Sequence, residues 1–127
     1  MKKHKFFRFT ISGDDLNLQD ITSKVNLPSK IYEKDTAISK LGKTIVQKTN
    51  RWLFYDEQMG ESSVTQFLTK NLLIIYQHFE ELKYFINKYK AYIELVVYAD
   101  NKTDLSLSKR QIDLLNKIGV KFYISFC

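Results

Sequence analysis

Leu68, Leu72, Ile75, Phe79, Leu82, Ile86 and Tyr89 follow one another at alternating intervals of four and three residues. Residues at that spacing share one side of an α-helix and of no other regular structure. Val64 extends the series, and Phe67, Ile74 and Phe85 widen the stripe. The pattern predicts one helix, or two in near-continuation, from about Ser63 to Lys88, with Ser62 or Ser63 as N-cap. Such a helix is roughly 35–40 Å long at ~1.5 Å per residue. A stripe of this length needs a cover. A sheet packed along the helix supplies one, and Leu72, Ile75, Phe79, Leu82 and Ile86 are then expected to be largely buried. A homodimer through the long helix is the other cover, but the seam spans only about three heptads, and sheet packing is preferred.

The rest of the sequence supplies the strands. Phe7, Phe9 and Ile11 alternate with Phe6, Arg8 and Thr10, which predicts a strand over Lys5–Ser12 with one buried face. Gly13-Asp14-Asp15 stops it. Asp15 or Asn17 can cap a short helix to about Val25, and Pro28 closes that segment. Residues 30–35 read as a second strand and Leu41-Gly42-Lys43 as a turn. Thr44–Tyr55 is rich in β-formers, and Lys48-Thr49-Asn50 within it is either a hairpin turn or a bulge. Asp56–Ser62 reads as a polar loop. Ala91–Ala99 is nearly continuous in apolar residues, as a central strand buried on both faces would be.

Leu105-Ser106-Leu107-Ser108 leads into a last helix. Ser108 and Gln111 have capping-box spacing, Ile112, Leu115 and Ile118 share a face, and Gly119 stands where a C-cap glycine belongs. Val120–Phe126 then alternates as a half-buried strand. The expected fold is α+β: residues 1–127 form a single domain in the order β-α-β-β-α-β-α-β. Its sheet is four- or five-stranded and mostly antiparallel, with one long and one shorter helix packed on one face.

Composition excludes more functions than it suggests. The 127 residues are 44% hydrophobic, which argues against disorder. One cysteine, Cys127, and two histidines, His4 and His78, leave no disulfide scaffold and no recognisable metal site. The glycines at 13, 42, 60 and 119 are too scattered for a phosphate loop. Adjacent carboxylates at Asp14-Asp15, Asp56-Glu57 and Glu80-Glu81 read more simply as turn or surface residues than as an acid/base pair. No catalytic residue and no cofactor is expected, and the protein is read as a non-enzyme. No window is apolar enough for a membrane span, and the opening Met1–Lys5 is not followed by the apolar run of a signal peptide, so a cytoplasmic location is expected.

The net charge is +6, yet the two halves of the chain each carry +3. A charge spread so evenly suits solubility better than a nucleic-acid groove. The one basic cluster, Lys2, Lys3, Lys5 and Arg8, supports nucleic-acid binding as the alternative function. Aromatics are 14% of the chain. Tyr, Trp and Arg anchor protein interfaces, which makes Arg51, Trp52 and Tyr55, and Tyr84 and Tyr89 on the long helix with Tyr92 and Tyr98 in the same tyrosine cluster, the candidate partner-binding residues. For each aromatic the competing role is core, and for Trp52 the sequence leaves core or interface open.

Four stretches resemble a bacterial family of small proteins, domain-of-unknown-function family 4279. They are Phe7-Arg8-Phe9-Thr10-Ile11-Ser12-Gly13 followed by Ile21-Thr22; Tyr32-Glu33-Lys34-Asp35, which lacks the family's glycine; Trp52 in a β segment before a leucine-rich helix; and the closing Leu105-Ser106-Leu107-Ser108, Leu115, Ile118-Gly119-Val120 and Phe122-Tyr123-Ile124-Ser125. The resemblance covers nearly the whole chain and implies a fold rather than an activity. By analogy it points to a protein-binding role, with immunity against a bacterial toxin domain as the instance considered.

Overall fold

The computed structural model describes residues 4–60, 63–98 and 106–127. In chain order the elements are β1 (His4–Gly13), α1 (Leu18–Lys24), β2 (Lys30–Tyr32), β3 (Ala37–Lys40), β4 (Lys43–Val46), β5 (Asn50–Met59), α2 (Val64–Gln77), α3 (Phe79–Lys88), β6 (Lys90–Tyr98), α4 (Lys109–Ile118) and β7 (Lys121–Phe126). Five strands form one mixed sheet in the order β2-β5-β1-β6-β7. Its first three pairings are antiparallel, and β6 with β7 is parallel. A parallel neighbour needs a crossover, and α4 provides it. Strands β3 and β4 form a separate hairpin.

The alternation in β1 fixes the two faces of the sheet. Phe7, Phe9 and Ile11 are fully buried. By register, Phe9 lies between Phe54 and Ile93, and Ile11 opposite Trp52. These residues, with Leu95 and Val97, make one apolar surface. All four helices add to the same core: Ile21 from α1, Leu68, Leu72 and Ile75 from α2, Leu82 and Phe85 from α3, Leu114 and Ile118 from α4. The helices therefore share one face of the sheet, and among the described residues no helix covers the other. The fold is α+β, as expected, although the long helix is two and the described residues hold four helices.

The break falls at His78, whose backbone (φ −103°, ψ 14°) leaves the helical region. It is C-cap to α2 and N-cap to α3. Interrupting the helix resets its phase. Leu72, Ile75 and Leu82 are buried as expected, but Phe79 is only half-buried, against Tyr76, and Phe85 takes the core position. Ile86 is half-buried against the core.

Other expectations change for equally local reasons. Strand β5 runs on to Met59 through the supposed loop at Asp56–Glu57, because Asp56, Glu57 and Gln58 pair with Phe7, Phe6 and Lys5. Lys48-Thr49-Asn50 is neither a hairpin turn nor a bulge: β4 ends at Val46 and pairs with β3, while β5 joins the main sheet. The turn at Leu41-Gly42 closes that hairpin with both residues at positive φ (53° and 74°), the mirror-image turn that matches strand twist. Strand β6 is buried mainly on one face, with Val96 alone buried on the other. In β7 only Phe122 is half-buried; Ile124 and Phe126 are exposed at the sheet edge.

Helix α4 keeps its full capping box at Ser108 and Gln111 and its left-handed Gly119. Its inward face nevertheless differs from the hydropathy pattern. Ile112 is exposed, while Gln111 is wholly buried and donates to Thr65 O (3.1 Å) and Thr69 Oγ1 (3.0 Å) of α2. A buried amide with both donors satisfied is tolerated where an unsatisfied one is not. Among the described residues no helix is long and apolar enough to cross a membrane.

Candidate binding face

The helix-free face is built from the alternate residues of the same strands. Strand β1 presents Phe6, Arg8, Thr10 and Ser12 there; β5 presents Arg51, Leu53, Tyr55 and Glu57; β6 presents Tyr92, Glu94, Val96 and Tyr98. Lys30 and Tyr32 extend it on β2, and Lys121 and Tyr123 on β7. Its aromatic rings touch: Phe6 lies 5.7 Å from both Tyr55 and Tyr98, and Tyr92 meets Tyr123 edge-on at 6.1 Å. Cations lie over these rings. Lys30 Nζ is 4.8 Å from the centre of Tyr55, and the Arg51 guanidinium 5.0 Å from that of Tyr32.

Beside the β3–β4 hairpin this face deepens into a cavity of about 510 Å³. Arg8, Arg51 and Lys48 reach it, with Glu94 the sole carboxylate among the described residues; Tyr32 and Tyr92 form aromatic walls. The hairpin supplies Ile45 and Val46. Thr10, although on the helix-free face, is buried here. Across the strands Arg8 stands opposite Glu94, yet the two make no ion pair. The Nε atoms of Arg8 and Arg51 are buried and make no hydrogen bond within the described chain.

At the other end of the face Glu57 joins two partners. Tyr55 OH donates to Glu57 Oε2 at 2.8 Å, and His4 Nε2 lies 2.5 Å from Oε1. Partial burial, and then donation to Glu57, push the Tyr55 hydroxyl up to about 12. The same bond from Tyr55, helped by the one from His4, holds Glu57 below the usual carboxylate range.

The structure separates the residues singled out from the sequence. Arg51 and Tyr55 share the open face, with Arg8. Trp52 points the opposite way: it has no exposed surface and packs edge-on against Phe9 at 6.0 Å, so it is core and offers a partner nothing. Tyr84 is exposed on α3, across the core from the open face, and accepts from Lys88 at 3.0 Å. Tyr89 is half-buried; its hydroxyl donates to Asp15 O at 3.2 Å, and its ring lies so close to Gly13 that a Cβ there would sit 2.7 Å away. Tyr89 thus ties α3 to β1.

The basic cluster is also divided. Lys2 and Lys3 lie outside the described residues. Lys5 is fully buried on the core side of β1 and donates to Gly60 O, while Arg8 faces the opposite side. Among the described residues no group of three or more acidic, histidine or cysteine side chains could hold a metal. The carboxylate pairs serve locally: Asp56 accepts from Asn71 and Lys70, and Glu80 pairs with Lys83. The sequence reading named Tyr92 but missed Tyr32, Lys48 and Glu94. Strand parity gives the face of Tyr32 and Glu94, whereas Lys48 lies between β4 and β5, and only the strand order brings these residues together.

A family model described as Domain of unknown function (DUF4279) matches residues 2–126. No curated protein and no solved structure matches the chain.

Proposed function

Since the chain belongs to the DUF4279 family, whose description assigns no activity, we propose from geometry that it is a non-enzymatic protein-binding module. The observation that carries the reading is the open sheet face, where Arg8, Arg51, Tyr32, Tyr55 and Tyr92 stand together beside a cavity with no helix over them among the described residues. Arginine and tyrosine are the side chains that concentrate binding energy at interfaces, and a rigid sheet holds them ready. The surplus of cations on this face calls for an acidic partner surface. A toxin domain neutralised in the cytoplasm is the instance we favour, with an acidic docking surface as its requirement.

The test is a titration against a toxin-like domain, should one be encoded beside the gene. Arg51→Ala and Tyr55→Ala should each weaken the complex by about 2 kcal/mol, Arg51→Ala with the denaturation midpoint unchanged. Binding untouched by either substitution would move the interface off this face.

A second reading has its own support. Aromatic rings and cations on one open sheet face are also what a single-stranded nucleic acid stacks on. Here it would rest on Arg8 with its face-mates, since Lys5 is buried. We expect no affinity beyond the non-specific range of ~0.1 mM to ~1 µM at physiological salt. Tighter, sequence-preferring binding to a labelled oligonucleotide would reverse the ranking.

A further inference from the structure

The docking reading leaves open what chemistry the cavity selects. Its cationic ends are set by register. Arg8 pairs with Tyr55, and Arg51 with Ser12, so along β1 the two arginines are four residues apart. That is roughly 13 Å in the strand direction at ~3.3 Å per residue. Each has its Nε buried without a partner among the described residues, which leaves the terminal Nη–H groups for a ligand. The paired Nη–H groups of a guanidinium form a parallel fork, the geometry a carboxylate accepts. Midway between them lies the Thr10–Leu53 pair, where Ile45 and Val46 of the hairpin add apolar wall. The groove therefore runs from cation through apolar centre to cation.

An extended peptide turns every second side chain to the same side, so residues i, i+2 and i+4 span the same ~13 Å. We infer that the groove between the open sheet face and the β3–β4 hairpin takes an extended acidic segment of a protein partner, with carboxylates at i and i+4 on Arg8 and Arg51 and an apolar side chain at i+2 over Thr10 and Leu53. The inference rests on the docking reading above and deepens it. Glu94 inside the groove and the apolar walls suit a peptide better than a phosphodiester backbone, which would bring charge at every unit.

The experiment is a selection of random linear peptides on the full chain, followed by titration of the recovered peptides. Enrichment of acid-x-apolar-x-acid sequences is expected. Replacing either acid by its amide, or making Arg8→Gln or Arg51→Gln, should each weaken them about tenfold or more. Arg110→Gln, an exposed arginine on α4, should leave them unchanged. Peptides without acids that still depend on Tyr92 would overturn the acidic-segment inference and leave the docking face standing. Recovered peptides indifferent to every open-face substitution would overturn both. A single-stranded oligonucleotide that outcompetes the selected peptides, with the same arginine dependence, would overturn the inference in favour of nucleic acid.

Discussion

The two faces of one sheet are made from the same strands and have opposite chemistry. On the covered face, Phe7, Phe9, Ile11, Trp52, Ile93 and Leu95 are buried under four helices. On the open face, one residue along each strand, Arg8, Arg51, Tyr55, Tyr92 and Glu94 meet solvent or a cavity. Because a strand alternates sides at every residue, Arg51 and Trp52 are neighbours in sequence and serve different ends. The covered face specifies the fold by area and shape. The open face holds charge and aromatic surface that folding alone does not require, which is why the proposed binding role is placed there.

Substitutions under the helices should produce the largest effects and sharpen this contrast. Leu82→Ala should cost about 2–5 kcal/mol, and Phe79→Ala well under half of that, because the break at His78 leaves Phe79 only half-buried. Urea denaturation of the two variants checks the order. Equal losses would mean that α2 and α3 present one continuous stripe. Next comes Gln111→Ala, expected to cost about 1–3 kcal/mol because it removes the capping box and both donors to α2. A variant as stable as the parent would make the Gln111 contacts dispensable.

A pH effect on the open face should be smaller. The Tyr55 hydroxyl is raised to about 12, so the folded state keeps a proton that the unfolded chain releases near 10. The folded state then binds more protons between those values, and the stability from this group is complete below about 10 and lost as the pH climbs towards about 12. Ultraviolet titration should show a late-ionising tyrosine that disappears in Tyr55→Phe. A parent chain whose tyrosines all titrate near 10 would dissolve the Tyr55–Glu57 bond.

What the sequence made legible follows from how local each signal is. Strand β1 reads directly, since Phe7, Phe9 and Ile11 need only their own alternation. The cap at Ser108 and the stop at Gly119 read as directly. The β3–β4 hairpin was half hidden: its turn places Leu41 at positive φ, where Asn or Gly would have advertised the geometry, and β4 is exposed. The end of β5 was hidden because Asp56-Glu57-Gln58 has loop composition and gains its strand state only from pairing with β1. The inward face of α4 misled because hydropathy favours Ile112, whereas Gln111 is buried by hydrogen bonds to another helix. On the open face, Arg51 and Tyr55 were singled out, but their meeting with Arg8, Tyr32 and Tyr92 depends on strands distant in sequence.

The division of the sheet into a core face and an open face proposed for docking is tested most directly at two adjacent residues. Urea denaturation of Arg51→Ala and Trp52→Ala, measured side by side, compares the faces at one point of one strand. The account predicts that Trp52→Ala loses about 3–5 kcal/mol, as removal of a fully buried ring does, while Arg51→Ala stays within about 0.5 kcal/mol of the parent. Comparable losses in the two variants would contradict it, since Arg51 would then belong to the folded core and not to a surface held open for a partner.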